Sequence, residues 1–342
     1  MASMKDVARL ANVSVSTVSR VINSSIPVDE ATRLRVEKAI QQVNFKPNLI
    51  ARSLRMKSTN LIGVVVPELQ HETFTSFIKF AEESAEARGY NLVIGSTNTN
   101  PETEERFIEN LIRRNIDGII FSRVSDHSRV LKLIDRTKIP IVIIDRSLAR
   151  EDIPAVVLDN YGAGAMAAGH LLSLGHLSFA CITGPLDISI NRERLAGFRD
   201  TIMTGGGRLD ERYIFEGNFK YDSGGRGADF LLDTGADFTA VWAQNDYMAI
   251  GAMNRLAARG FSIPGDISIM GLDNIEHSWM IMPALTTMAQ PFRQMCESAV
   301  DLIVKASRKE TTDASRIVLG PELVIRETTA PAGAGSRKLV GH

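Results

Sequence analysis

Two textures of apolar patterning divide the chain. Over roughly the first 45 residues, apolar positions recur every three or four residues, the spacing of helices with one buried face. Lys5–Ala11 gathers Val7, Ala8, Leu10 and Ala11, and Asn12, Val13 and Ser14 interrupt it. Ser14 suits an N-cap, its hydroxyl accepting from a first-turn N–H. It would open a second helix, Val15–Asn23, with Val18, Val21 and Ile22 inward. Asp29 is placed to cap a third, about Glu30–Val43, with Leu34, Val36, Ala39, Ile40 and Val43 inward. Pro47 fits the first turn of a short fourth segment over residues 48–55.

From Leu61 onward, short continuous apolar runs alternate with amphipathic stretches. Runs such as Leu61–Val66, Gly118–Phe121, Pro140–Asp145, Ala155–Leu158, Phe179–Thr183, Ala240–Ala243 and Ile267–Gly271 read as strands. Helices fall between them, including about Phe74–Arg88, Glu102–Arg114, Ala163–Leu174, Asn191–Thr204, Asp246–Arg259 and Phe292–Ser307. Uninterrupted apolar strands alternating with helices predict parallel sheets covered on both faces, and nine or ten strands predict two lobes. The expected architecture is an all-α helix-turn-helix head over residues 1–46, a linker over 47–60, a two-lobed α/β body over 61–329 and a mobile tail over 330–342.

Charge sharpens the division. The first 60 residues hold ten Lys/Arg and four Asp/Glu, a formal +6, whereas the whole chain carries −1. A basic head on an acidic body points to a nucleic-acid contact at one end. No apolar run is long enough to span a membrane, and the acid at Asp6 interrupts any export signal, so a cytoplasmic chain is expected. The two cysteines, Cys181 and Cys296, sit in apolar surroundings and read as buried, reduced side chains.

A capped amphipathic helix after a tight turn is the reading half of a helix-turn-helix, which lies in the major groove of double-stranded DNA. Val15, Ser16 and Arg20 would face base edges. Arg20 can donate twice to guanine, and Val15 can meet a thymine methyl. Ser14, Thr17, Ser19 and Asn23 suit phosphate oxygens. The same residues would also serve as an ordinary helix surface.

The pattern extends further. Asp6-Val7-Ala8, Ala11-Asn12-Val13-Ser14, Thr17-Val18-Ser19-Arg20-Val21-Ile22-Asn23, Thr32-Arg33, Pro47-Asn48 and Ala51-Arg52-Ser53-Leu54 closely resemble the head and hinge of the lactose/galactose-repressor (LacI/GalR) family. The resemblance runs through the body to about Thr329. It implies that residues 48–55 form a hinge helix on the operator, that Leu54 wedges into the minor groove, and that Arg52 and Arg55 reach phosphate or groove edges. Such a head works in pairs, so a near-palindromic operator and a homodimer are expected. The tail lacks the leucine repeat of tetrameric relatives.

In open parallel sheets, ligands bind beyond the carboxyl ends of the strands. Polar residues stand there in this sequence: Asp145 and Arg146, Asn245 and Asp246, Asp273 and Asn274, Gln290, and Arg194 in the helix after the Phe179–Thr183 run. The body also resembles sugar-binding periplasmic proteins. By that resemblance Phe74 and Phe219 are aromatic walls, and Asp145, Arg146, Arg194, Asn245, Asp273 and Gln290 are polar anchors for a small effector, most simply a monosaccharide or derivative. Asp246 reads better as a helix cap than as a ligand contact; core is the alternative for Phe219, and loop support the alternative for Asn274. Thr73, where some relatives have an aromatic residue, favours a ligand smaller than a purine.

An enzyme is the main rival class. Tyr161-Gly162-Ala163-Gly164 lacks the later glycine of a dinucleotide fingerprint, Gly205-Gly206-Gly207 lacks a following Lys-Ser/Thr, and the six histidines show no metal-binding spacing. No cofactor and no metal are expected. The expectation is a repressor of carbohydrate genes released by a sugar; the alternatives are control by a phosphocarrier protein, as the resemblance allows, or a non-sugar effector.

Overall fold

The structure is a computed structural model. It describes residues 2–23, 27–45, 58–122, 130–146, 150, 152–235, 237–310 and 316–333. The chain divides into two compact units, Met1–Thr59 and Asn60–His342.

The first unit packs α1 (Met4–Ala11), α2 (Val15–Asn23) and α3 (Glu30–Gln42) around Val7, Ala8, Ala11, Val18, Val36 and Ala39. Each helix starts on a polar cap. Ser3 and Asp6 form a reciprocal capping box on α1. Ser14 Oγ accepts from Thr17 N at 3.1 Å, and Asp29 Oδ1 from Thr32 N at 2.9 Å. Two apolar residues expected inward point out: Leu10 is 49% exposed and Leu34 54%. Leu34 lies two positions from Val36, about 200° around the helix, so it cannot share that buried face.

The second unit is two parallel α/β lobes. One sheet has the order β11-β5-β4-β3-β1-β2, with β1 Leu61–Val66, β2 Asn91–Ser96, β3 Gly118–Phe121, β4 Ile141–Asp145, β5 Ala155–Leu158 and β11 Arg316–Leu319. The other runs β7-β6-β8-β9, with β6 Phe179–Thr183, β7 Ile214–Glu216, β8 Ala240–Ala243 and β9 Ser268–Met270. Parallel bridges Met270↔Thr286 and Asp273↔Ala289 attach β10 (Thr287–Ala289), which pairs antiparallel with β12 (Glu322–Val324). The chain therefore crosses between lobes after β5, after β10 and after β11. Neither lobe is one continuous stretch of sequence, a feature invisible to local patterning.

In the first lobe, α4 (Glu72–Glu86) and α12 (Phe292–Ser307) cover one sheet face around Phe77, Val64, Met295 and Ile303. Helices α5 (Pro101–Arg113) and α6 (Leu131–Ile134) cover the other, around Ile108, Leu111 and Ile119. In the second lobe α7 (Asn160–Ser173) and α8 (Ser189–Thr204) flank one face; α9 (Tyr221–Asp233) and α10 (Asp246–Ala258) flank the other. Glycines bring each pair into backbone contact. A Cβ on Gly164 would lie 2.0 Å from the Arg194 carbonyl oxygen and one on Gly197 2.0 Å from that of Tyr161; Gly224 and Gly251 repeat the arrangement against Met248 and Tyr221.

Cys181 and Cys296 are free and buried, and burial pushes the Cys296 thiol up to about 12. The expected mobile tail is wrong at its start. Ala330 N donates to Ser268 Oγ at 3.1 Å, its carbonyl lies 3.0 Å from His176 Nε2, and Ala332 N donates to the Leu174 carbonyl at 2.8 Å. Residues 334–342 lie outside the described residues. Among the described residues no helix is long and apolar enough to cross a membrane.

Candidate functional site: a polar cleft and a helical head

In the body, strand ends set the site. Parallel strands direct their carboxyl ends to one edge of each sheet, and the polar residues that close or follow β3, β4, β8, β9 and β10 are Ser122, Asp145 and Arg146, Gln244 and Asn245, Asp273, and Gln290. Asp145, Arg146, Arg194, Asn245, Asp273 and Gln290 are all buried. Gln290 Nε2 donates to Asp273 Oδ1 at 2.7 Å, and Thr73 Oγ1, from the other lobe, donates to Asp273 Oδ2 at 3.1 Å. Asp145 Oδ2 accepts from Ser122 Oγ at 3.4 Å and lies 3.6 Å from Arg146 Nε.

Arg194 occupies the middle. Its Nε donates to Asn160 Oδ1 at 2.8 Å and its Nη1 to the Gln244 carbonyl at 3.2 Å. Burial lowers its pKa, while the charges of Asp273 and Asp145 oppose that shift and Arg146 adds to it. Asp273 is raised, first by burial and then by the Asp246 carboxylate. Five of the six polar anchors thus form one electrostatic group. The sixth, Asn245, joins through His71: its Nδ2 lies 3.1 Å from His71 Nε2 and donates to the Phe219 carbonyl at 2.8 Å. Phe74 packs beside His71 with centroids 5.9 Å apart, and Phe219 packs on Gly184, half-buried against the second lobe's core.

Asn245 is also the N-cap of α10, its Oδ1 accepting from Met248 N at 2.9 Å. That corrects the expectation for Asp246, which is no cap. Asp246 is buried behind the cleft, accepting from Thr287 Oγ1 at 2.5 Å and Ile275 N at 2.9 Å. It thereby holds the turn in which Asp273 and Asn274 take left-handed backbone angles, φ 125° and 57°. Asn274 does support this loop, accepting from Arg326 Nη2 at 2.5 Å.

Sequence reasoning missed a second cross-lobe cluster. Glu72 Oε2 accepts from Glu276 N at 2.9 Å, and its Oε1 accepts from Tyr247 Oη at 3.3 Å and contacts His277 Nδ1. The apolar period places the helix start at Phe74, two residues late, so His71 falls outside the elements it predicts. An N-terminal polar turn carries no periodicity; only the Glu72 first-turn acid hints at it.

In the head, α2 exposes Val15, Ser16 and Arg20 while Val18 is fully buried. Thr17 and Ser19 are half-buried, and the Ser14 hydroxyl is engaged by Ser16 and Thr17 at 2.7 and 2.8 Å. The head's acids are occupied elsewhere: Asp6 with Arg9, Asp29 at its cap, Glu30 and Glu37 with Arg33. Helix α2 therefore presents its cation without a neighbouring acid of its own. Of Asn23 only its place in α2 is described, and Arg52, Leu54 and Arg55 lie outside the described residues.

A three-helix head whose second helix is capped and exposed, joined to a body with a polar cleft between two parallel α/β lobes, defines the class of ligand-responsive DNA-binding regulators. Comparison with known proteins gives the family. Residues 3–48 match the model of bacterial regulatory proteins of the lacI family, and residues 59–326 that of periplasmic binding proteins and the sugar binding domain of the LacI family. The HTH-type transcriptional regulator DegA of Bacillus subtilis (strain 168) is 36% identical over 95% of this chain and 97% of its own. The ribose operon repressor of Escherichia coli (strain K12) is 33% identical over 95% and 99%. The crystal structure of the lac repressor dimer bound to operator and the anti-inducer ONPF superposes with a TM-score of 0.86 at 29% identity, covering 96% of this chain and 99% of that one. The chain belongs to the LacI family: it is a DNA-binding transcriptional regulator with a sugar-binding type of body, and not an enzyme.

Proposed function

We propose that this regulator represses genes of carbohydrate uptake or metabolism and is controlled by a small sugar-like effector in the cleft between its lobes. The observation that carries the reading is the buried cluster of Asp145, Arg146, Arg194, Asp273 and Gln290 at the strand ends of both lobes. Charged donors and acceptors beside aromatic faces suit a ring with apolar faces and a hydroxylated edge. The name of the ribose operon repressor agrees with a sugar effector.

The head reads a near-palindromic operator as a homodimer, with Arg20, Val15 and Ser16 at base edges and Ser14, Thr17, Ser19 and Asn23 at phosphates. By resemblance, Arg52, Leu54 and Arg55 complete the contact. A second copy also has a surface to cover: Trp279, Met280, Met282 and Ile325 are 54–87% exposed around the α11 turn (His277–Met280). Effector acts by preferring one of two body states, with coupling of about 1–3 kcal/mol.

The test is operator affinity measured with and without each of a panel of monosaccharides. One of them is expected to shift it about 5- to 150-fold. No response to any sugar, with a response to a phosphocarrier protein, would replace this reading by the partner-driven one.

A further inference from the structure

The hydrogen-bond network fixes the tautomer of His71. Asn245 cannot be flipped: its Oδ1 accepts from a backbone N–H, that of Met248, and its Nδ2 donates to a backbone carbonyl, that of Phe219. The atom 3.1 Å from His71 Nε2 is therefore an NH2 group, which can only donate. His71 Nε2 must accept, and a neutral imidazole has one proton, so that proton sits on Nδ1. Burial holds the ring neutral, lowering its pKa to about 4.

That Nδ1–H is buried and has no hydrogen-bond partner among the described residues. The ring is locked edge-on to Tyr247, centroids 5.2 Å apart, and tilted against Phe74. A buried donor left without an acceptor destabilises the fold, so its persistence at the mouth of α4 needs a reason. It does not cap the helix that begins beside it. A complementary orphan lies across the cluster: Gln290 commits Nε2 to Asp273, and its buried Oε1 has no hydrogen-bond partner among the described residues.

Resting on the proposed effector cleft, we propose that His71 is a specificity-determining effector contact whose Nδ1–H donates to a ligand oxygen, while Gln290 Oε1 accepts from a ligand hydroxyl. One donor and one acceptor, both buried, select a ligand that presents an oxygen to His71 and a hydroxyl to Gln290. A hydrocarbon edge would satisfy neither atom.

Histidine 15N chemical shifts of the full-length protein without ligand are the first measurement. Nδ1 is expected protonated and Nε2 unprotonated for His71; the opposite tautomer overturns the inference. Binding is then measured by calorimetry with D-ribose, D-fructose, D-glucose and D-galactose. For whichever binds, His71→Phe, which keeps a packed ring, is expected to weaken affinity roughly 10- to 100-fold. His71→Asn, whose side-chain amide replaces the Nδ1 donor, is expected to restore most of it, and His71→Asp, which offers an acceptor, is not. Equal affinity for His71→Phe and wild type overturns the His71 role while leaving the sugar reading standing. If wild type binds none of the four sugars, the sugar reading falls, and the ligand class assigned here falls with it.

Discussion

Gly164→Ala should disable the cleft from a distance. The new Cβ would sit 2.0 Å from the Arg194 carbonyl oxygen and 2.7 Å from Phe198 N. Ordinary C···O contact begins near ~3.3 Å, so α7 and α8 must part by roughly 1.3 Å. Both neighbours are backbone, which cannot swing aside as a side-chain tip can. The Arg194 Nε to Asn160 Oδ1 bond, 2.8 Å, spans these same two helices and would stretch beyond hydrogen-bonding range. Overpacking costs about 1–3 kcal/mol, offset by up to ~1 kcal/mol of alanine's helix preference. The expected outcome is a net loss of up to about 2 kcal/mol in urea unfolding of the body, with a larger loss of sugar response than the stability change explains. An unaltered midpoint and effector affinity would refute the argument that backbone contact through Gly164 positions Arg194.

Four further outcomes follow from named contacts. Arg194→Ala should abolish effector response while leaving operator binding intact, and should cost about 1–3 kcal/mol because Asn160 Oδ1 loses its donor inside the body; calorimetry and a gel-shift assay separate the two effects. Arg20→Ala, at the exposed face of α2, should cost about 1–3 kcal/mol and relax preference at one base pair per half-site, and uniform weakening across operator variants would contradict base reading. Glu72→Ala removes the cross-lobe acceptor of Glu276 N, so hydrogen exchange at that amide should quicken roughly five- to tenfold in the ligand-free protein. Burial depresses His71 to about 4, so the unfolded chain binds the extra proton between about pH 6.5 and 4; stability present above 6.5 falls by up to roughly 3 kcal/mol across that window. His170 and His176 are lowered by burial as well, so the measured quantity is the slope difference between wild type and His71→Phe, and equal slopes would contradict the assignment.

What the sequence revealed, and what it hid, follows from which forces act locally. The strands from Leu61 to Met270 were legible because a sheet covered on both faces demands unbroken apolar runs. Helix α9 was not. Its Tyr221–Asp233 stretch holds Gly224, Gly225 and Gly227, poor helix formers that local reading rejects, yet Gly224 is needed where α10 presses on it. Strand β11 joins the first sheet after more than 150 intervening residues, a pairing no window of sequence contains. Among site residues, Asp145, Arg146, Asn245, Asp273 and Gln290 could be found because strand ends announce them. Arg194 follows its strand at a distance, where strand ends give no signal and the family resemblance is what singles it out. The roles of His71, Glu72 and Asp246 are not legible locally because they depend on groups more than 25 residues away.

The backbone gives an argument for the cleft that is independent of any relative. Most residues with left-handed φ in this fold are asparagines or glycines, which tolerate it cheaply. Among the described residues five others adopt it, and three of those five are Asp145, Phe219 and Asp273, at 71°, 68° and 125°. Each costs on the order of 1–3 kcal/mol and persists only where its surroundings enforce it. For Asp273 the enforcement is visible: Asp246 grips Ile275 N from behind, and Gln290 and Thr73 hold the carboxylate from in front. Strain, buried charge and unsatisfied polar atoms therefore coincide on one set of strand ends. A fold selected only for stability would place asparagine or glycine at those backbone angles and apolar residues around them. Relieving the strain by Asp273→Gly should then stabilise the backbone yet destroy effector response, and that opposition is what distinguishes a binding site from a polar flaw in the core.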